Sequence, residues 1–188
     1  MPVVEVHLIK GYSAPEKQRL CESLTDAVRM VVPAPVDAVT VMVHEMDPAG
    51  YMRGRTARVP APALPSASGI VQDYLAAMEA RDLDRARGFL GAGFSMTFPG
   101  AAPMTTLEEL IAWSGPRYNS VRKSYDGFDE AKGPDDKIVV YCHGSLSGEW
   151  PDGTSFESIR FIDRFEIAQG KIVRQEVWND IAEVRTRS

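Results

Sequence analysis

Residues 1–13 read MPVVEVHLIKGYS, and this stretch decides how the first third of the chain is interpreted. Apolar residues alternate through it, so Val4, Val6 and Leu8 fall on one face of a predicted strand. Pro2 stands directly before that strand. Because an initiator methionine is generally removed before a residue as small as proline, we expect the mature protein to begin with the secondary amine of Pro2. An amine held at the start of a strand is a candidate base.

A helix and a second strand follow. Ser13 and Glu16 have the spacing of a capping box, with Pro15 in the first turn. Apolar residues then recur at helical spacing: Leu20, Leu24, Ala27, Val28 and Val31. A strand predicted over residues 38–46 completes a βαβ unit, whose two strands should be parallel. Such a unit buries too little apolar surface to be stable alone, so we expect a homo-oligomer, from a dimer to a hexamer.

A proline- and alanine-rich stretch, RVPAPALPSASG, separates two parts of the chain. We therefore predict a domain over residues 1–57, a linker over 58–68 and a second domain over 69–188. The second domain begins with helical patterns, including a capped TTLEELIAW, and continues with three stretches of period two joined by turn sequences. Those strands should pair antiparallel. Helices followed by an antiparallel sheet predict an α+β fold.

The composition of the 188 residues is that of a soluble globular protein, with 44% hydrophobic residues and a net charge of −5. No apolar run is long enough to span a membrane, and no basic stretch favours nucleic acid. We expect a cytoplasmic protein with a small-molecule substrate and neither a membrane nor a nucleic-acid partner. Cys21 and Cys142 lack metal-ligand spacing, and nothing in the sequence implies a metal or organic cofactor.

The first domain resembles the 4-oxalocrotonate tautomerase family over residues 2–55. The resemblance rests on the proline-first strand, the GYS turn, the VHEM strand end and the GYMRGR tail. It implies that Pro2 is the general base and that short members assemble as hexamers of βαβ units.

The resemblance also implies a substrate-binding set. Tyr51 matches an aromatic pocket residue of the family, and Arg53 in the same tail can supply a cation. Tyr12 and Thr40 occupy positions where family members that act on dicarboxylates have arginines. Because arginine holds carboxylates bidentately, its absence here favours a small enolisable carbonyl compound over a dicarboxylate.

The second domain resembles the SnoaL-like members of the nuclear transport factor 2-like (NTF2-like) superfamily. The matching stretches are YLAAMEARDLDRARGFLGAGF and GEWPDGTSFESIRFIDRFEIAQGKIVRQEVWND, within residues 69–180. The resemblance implies a cone-shaped α+β fold in which a curved antiparallel sheet encloses a pocket. It also implies frequent dimers.

The strand period offers candidates for that second pocket. Tyr141 and His143 share one face of their strand, and Trp178 and Asp180 share one face of the last strand. A shift of one residue would place Val177 and Asn179 in the pocket in place of Trp178 and Asp180. Further predictions are an ion pair between Asp163 and Arg164, core positions for Trp150 and Phe161, and packing or interface positions for His7 and His44.

Taken together, these patterns predict a tautomerase or isomerase that uses Pro2 as general base on a small enolisable carbonyl compound, with a second small-molecule pocket in the SnoaL-like domain. One alternative places isomerase or cyclase chemistry in that second domain, with Asp180 or His143 as the reacting group. The other alternative is a small-molecule-binding protein without catalysis.

Overall fold

The computed structural model describes residues 1–185, and residues 186–188 of the predicted second domain lie outside the described residues. The chain divides into two compact units, residues 1–63 and the part from Leu64 onward. The first helix of the second unit begins at Ala67, within the predicted linker, because Ser66 caps it. The Ser66 hydroxyl accepts a hydrogen bond from the Gly69 amide at 3.2 Å.

The first unit is the βαβ arrangement expected from the sequence. Its elements are β1 (Val3–Ile9), α1 (Ala14–Arg29), β2 (Thr40–Met46) and the short pair β3 (Met52–Arg53) and β4 (Thr56–Ala57). β1 and β2 are parallel, with Val3 opposite Thr40. The predicted capping interaction forms, since the Ser13 amide donates to Glu16 Oε2 at 2.7 Å and thereby lowers the pKa of Glu16.

The proline-rich segment belongs partly to the first unit. Gly11 follows β1 with φ +150°, and a Cβ built there would lie 2.6 Å from Pro60 Cγ. A larger residue would collide with the Pro60 ring, so glycine at position 11 allows the proline-rich segment to pack against this turn.

Residues 1–63 are all described by the structure, and none of them is buried. The helix lies over the face of the sheet that carries Leu8 and Glu45, since Lys17 of α1 bonds Glu45 at 2.7 Å. The opposite face is open, and Val3 and Met42 on it are 51% and 37% exposed. The first unit therefore has no core of its own.

His7 and His44 lie on this open face and stack on each other, with ring centroids 4.9 Å apart and planes 18° apart. Both rings face away from Val6 and Val43 of the same strands, and their role in packing or in an interface stays a prediction.

The second unit carries a five-stranded sheet with helices packed against it. Its elements are α2 (Ala67–Glu79), α3 (Leu83–Arg87), β5 (Leu90–Thr97), α4 (Leu107–Ser114), β6 (Ser120–Lys132), β7 (Ile138–Glu149), β8 (Ser155–Ala168), β9 (Lys171–Asn179) and α5 (Ile181–Arg185). The strand order is β5-β9-β8-β7-β6, in which β5 and β9 are parallel and the other neighbours antiparallel. The predicted antiparallel strands and the α+β class are confirmed.

The core of the described chain lies between α2, α4 and the sheet. Helix α2 contacts β6, β7 and β9, and its Tyr74 meets Phe165 of β8 edge to face with ring centroids 6.0 Å apart. Trp150 and Phe161 are buried in the same core, as predicted. Helix α4 begins with the expected cap, in which the Thr106 hydroxyl accepts from the Glu109 amide.

Candidate functional site

Pro2 lies directly before β1 and is half-buried. Its carbonyl oxygen accepts a hydrogen bond from the Thr40 amide at 3.0 Å, which extends the pairing of β1 and β2 back to the proline. This bond brings together two of the predicted site residues. It holds the carbonyl group of Pro2 against the start of the second strand.

The other candidate residues of the first unit lie outside its strand pair. Tyr12 is half-buried in the turn before α1, Tyr51 is half-buried behind the short 3-10 helix Pro48–Gly50, and Arg53 is exposed in β3. Their approach to Pro2 stays a prediction.

The second unit contains a cavity of about 160 Å³ bounded by α2, α4, β6 and β9. Its walls are mostly aromatic and aliphatic, a composition typical of small-molecule sites. The apolar lining comprises Leu75, Met78, Phe98, Leu110, Trp113, Val121, Leu146, Phe161, Val177 and Ile181, with Tyr74, Tyr118 and Tyr125 adding aromatic rings that carry hydroxyls.

A chain of polar side chains crosses one wall of this cavity. The ammonium of Lys123 donates to Oδ2 of Asp163, and Gln175 Nε2 donates to the same oxygen at 3.2 Å. The Tyr74 hydroxyl in turn donates to Gln175 Oε1 at 3.3 Å. Lys123, Gln175 and Tyr74 face the cavity, while Asp163 lies behind them. The four residues come from four different elements, so the fold alone brings them together.

Asp163 is fully buried, and its Oδ1 has no hydrogen-bond partner among the described residues. A buried carboxylate needs a counter-charge, which Lys123 supplies. The Lys123 side chain is 19% exposed, and its ammonium also lies 4.5 Å from the centroid of the Phe161 ring. The pair therefore fixes a cationic donor at the wall of an apolar space.

Neighbouring titratable groups are held neutral. Burial, reinforced by the negative charge of Asp163, raises the pKa of Tyr74. Burial also raises the pKa of Tyr125, with smaller contributions from Cys142 and Asp163. The Cys142 thiol, paired opposite Asp163 in the sheet, has its pKa raised to about 12, chiefly by burial. These groups stay protonated at neutral pH, and Cys142 is a structural thiol.

The predicted residues of the last strand lie outside the cavity. Trp178 is 50% exposed, and Asp180 pairs with Arg160 at 2.6 Å. The cavity is instead lined by Val177 and Asn179, the arrangement that a shift of one residue gives. The assignment failed because β9 turns the polar Gln175 inward and the apolar Trp178 outward, against the usual hydrophobic pattern.

The prediction that Tyr141 and His143 line the second pocket is also wrong. They alternate with the buried Val140 and Cys142 of β7, so they project from the outer side of the sheet. There the His143 ring lies 3.8 Å from the carboxylate of Asp129.

The predicted pairing of Asp163 with Arg164 is wrong as well. Adjacent residues of a strand point to opposite faces, so Asp163 reaches inward to Lys123 while Arg164 bonds Glu176 at 2.9 Å on the outer face. Burial alone would raise the pKa of Glu166 beside them, but hydrogen bonds from Lys137 and Arg164 outweigh burial and lower it.

Lys123 was not identified from the sequence. It lies in β6, a strand whose many charged residues hide its period. The alternation of Val121, Lys123 and Tyr125 is the signal that marks an inward face with a cation in its middle.

Comparison with known proteins gives a separate similarity for each part of the chain. Residues 2–56 match the family model for tautomerase enzymes, an isomerase-type family. A search of curated proteins found no match.

Solved structures resemble the part of the chain outside that family match. An NTF2-like protein of unknown function from Burkholderia pseudomallei is 22% identical, with a TM-score of 0.53, over 63% of this chain and 94% of that chain. TerC, crystallised with polyporic acid, is 15% identical with a TM-score of 0.53, over 63% of this chain and 95% of that chain. These likenesses show that the second unit has the NTF2-like fold.

Within residues 1–185, no helix is long and apolar enough to cross a membrane. Over the same residues, no group of three or more His, Cys, Asp or Glu side chains is placed to hold a metal ion.

Proposed function

We propose that the first unit is a tautomerase in which Pro2 is the general base. The observation that carries this proposal is the match to the tautomerase family, whose first matched residue is Pro2. The position of Pro2 supports it, because this half-buried residue is held at the start of the strand pair by the hydrogen bond from the Thr40 amide to its carbonyl oxygen. A base so fixed meets its substrate in a constant orientation.

The reaction is the transfer of one proton within an enolisable carbonyl compound. The free nitrogen of Pro2 removes a proton from the carbon or the enol oxygen of the substrate and returns it to the other end of the conjugated system, so no proton is gained or lost. An α-amino group has an ordinary pKa of about 7.7–8.0, which suits it to this exchange near neutral pH. The mechanism requires removal of Met1, since a peptide nitrogen has no basicity.

The substrate is a small carbonyl compound without a second carboxylate. Tyr12 and Thr40 provide no guanidinium to bind a dianion. Tyr51 packs against the apolar part of the substrate, and the exposed Arg53 supplies the one cation we assign to this site.

The active form is a homo-oligomer assembled partly through the first unit. Residues 1–63 contain no buried residue, and the open face of the β1–β2 pair exposes Val3 and Met42. A second copy of the same unit can cover this face and supply the missing core. Light scattering of the full chain at micromolar concentration tests this point, and a well-folded monomer would contradict it.

Ketonisation of phenylenolpyruvate by the full chain tests the tautomerase proposal. Intact-mass analysis first establishes whether Met1 is absent. We expect Pro2→Ala to lose most of the activity, and Pro15→Ala, which changes an exposed proline in the first turn of α1, to retain it. Active protein that keeps Met1, or Pro2→Ala with full activity, would exclude proline as the base.

The cavity of the second unit supports a second, separate proposal, that this unit binds a small molecule. The observation is the apolar cavity with Lys123 fixed in its wall by Asp163. TerC, which shares this fold, was crystallised with polyporic acid. If the isomerase or cyclase chemistry belongs to this unit instead of the first, ketonisation should survive Pro2→Ala and fall in the double variant Lys123→Met/Asp163→Asn, which leaves no unpaired charge buried. If the chain only binds small molecules, neither the unsubstituted chain nor any variant will catalyse ketonisation.

A further inference from the structure

We propose that the cavity of the second unit takes a neutral, single-ring aromatic compound whose carbonyl oxygen accepts a hydrogen bond from Lys123. This inference deepens the proposed binding function of the second unit and does not depend on Pro2. It follows from the size of the cavity, the free donors of Lys123 and the balance of charge around it.

The size and lining of the cavity favour one aromatic ring. An engineered protein cavity of about 150 Å³ lined by aliphatic and aromatic side chains binds benzene. The cavity here measures about 160 Å³. Phe98 and Trp113, whose ring centroids are 5.3 Å apart, form part of its aromatic wall. A ring with a short substituent fills this space.

Lys123 has donors to spare on the side of the cavity. An ammonium group carries three N–H donors, and one of them bonds Asp163. The Phe161 ring flanks the ammonium at 4.5 Å but accepts no conventional hydrogen bond. A ligand oxygen that reached the cavity wall would meet a charged donor in an apolar setting, where such bonds are strong.

The charge balance selects a neutral oxygen over a carboxylate. The charged side chains that line the cavity are Glu79, Arg81 and Lys123, and Asp163 lies behind Lys123. Two cations and two anions therefore surround the space, and the positive charge of Lys123 is already compensated. Among the described residues, Glu79 and Arg81 are exposed and form no ion pair with each other, so Lys123 is the cation held in the wall, and Asp163 already balances its charge. An anionic ligand placed against Lys123 would be desolvated without a net positive charge to receive it. A ketone or aldehyde avoids that cost and still accepts from Lys123.

Asp163 acts through Lys123. Its free oxygen is enclosed, with almost no accessible surface, and it does not line the cavity. Asp163 is a positioning residue that holds the Lys123 ammonium at the cavity wall. The Asp163 carboxylate is in turn held by a hydrogen bond from Gln175 Nε2 at 3.2 Å.

Three probes of matched size separate these contributions: acetophenone, a neutral acceptor; benzoate, an anion; and ethylbenzene, an apolar control. Their dissociation constants are measured by ligand-observed NMR titration of the full chain at neutral pH. We expect acetophenone to bind about tenfold more tightly than ethylbenzene, the gain of one hydrogen bond to a charged donor, and more tightly than benzoate.

Two variants test whether the tighter binding of acetophenone depends on Lys123. Lys123→Met leaves Asp163 buried without its counter-charge and can fail to fold, so the double variant Lys123→Met/Asp163→Asn removes both charges together. We expect the double variant to lose about tenfold in acetophenone affinity and to keep its affinity for ethylbenzene.

Each outcome decides one claim. Binding of ethylbenzene with no advantage for acetophenone, or an unchanged acetophenone affinity in the double variant, overturns the role of Lys123. Tighter binding of benzoate than of acetophenone overturns the neutral ligand class. If no probe binds, the proposed binding function of the second unit fails, and this inference fails with it.

Discussion

Replacing Lys123 by methionine should destabilise the second unit by about 3–5 kcal/mol, the usual cost of leaving one charge of a buried ion pair without its partner. Asp163 is fully buried, and its oxygens have only Lys123 and Gln175 as partners among the described side chains. After the substitution a single bond from Gln175 at 3.2 Å remains to stabilise the carboxylate. Methionine keeps most of the aliphatic stem, so the loss is electrostatic rather than a loss of packing.

Urea unfolding followed by tryptophan fluorescence measures this loss. All three tryptophans, Trp113, Trp150 and Trp178, lie in the second unit, so their signal reports on that unit alone. The double variant Lys123→Met/Asp163→Asn, which buries no unpaired charge, should recover about 2 kcal/mol or more of the loss.

A matched control comes from the same strand. Lys132 pairs with Asp136 at 3.0 Å, but both side chains are well exposed, so Lys132→Met should change stability by less than about 1 kcal/mol. If Lys123→Met costs no more than this control, or if the double variant is no more stable than the single one, the buried pair does not have the importance we assign to it.

Other features of the second unit give further expectations. Thr106→Ala removes the cap of α4 and should lower the free energy of unfolding by about 1 kcal/mol in a urea titration. Thr106→Ser keeps a capping hydroxyl and should retain most of the stability. A thiol reagent should modify the half-buried Cys21 quickly and the buried Cys142 only after unfolding. Because burial raises the pKa of Cys142 from 9.0 to about 12, its contribution to stability should be complete below pH 9 and decline as pH rises toward 12; a Cys142→Ala variant should lack this decline. Gly144→Ala would place a Cβ 1.9 Å from the Ser124 carbonyl oxygen, and we expect a loss of about 3 kcal/mol or incomplete folding, where near-native stability would contradict the close approach.

The elements of the first unit could be predicted because their signals are local. The alternation before Ile9, the cap at Ser13 and the prolines after α1 depend only on neighbouring residues. The helix nevertheless ends at Arg29, two residues before the last apolar position assigned to it. Boundaries of this kind depend on the turn that follows and not on the periodic pattern.

The cavity could not be predicted because it depends on which way each strand faces. A strand pattern fixes two faces but does not say which of them is inside. In β9 the inward face carries Gln175, whose burial is explained only by its partners Asp163 and Tyr74 in distant parts of the chain. Lys123 was missed for the same reason, since a lysine is normally read as exposed until its buried partner is known.

The absence of a core in residues 1–63 has a consequence for synthesis. These residues leave the ribosome before the second unit exists, and none of them is buried in the finished chain. Domains normally fold as units in the order in which they emerge, but here the first segment has nothing to fold around, and the helices and sheet that follow can fold first. If the first unit assembles with a second copy, as we propose, its N-terminal segment stays accessible to proteases and chaperones until that assembly, and its survival should rise with the local concentration of the chain.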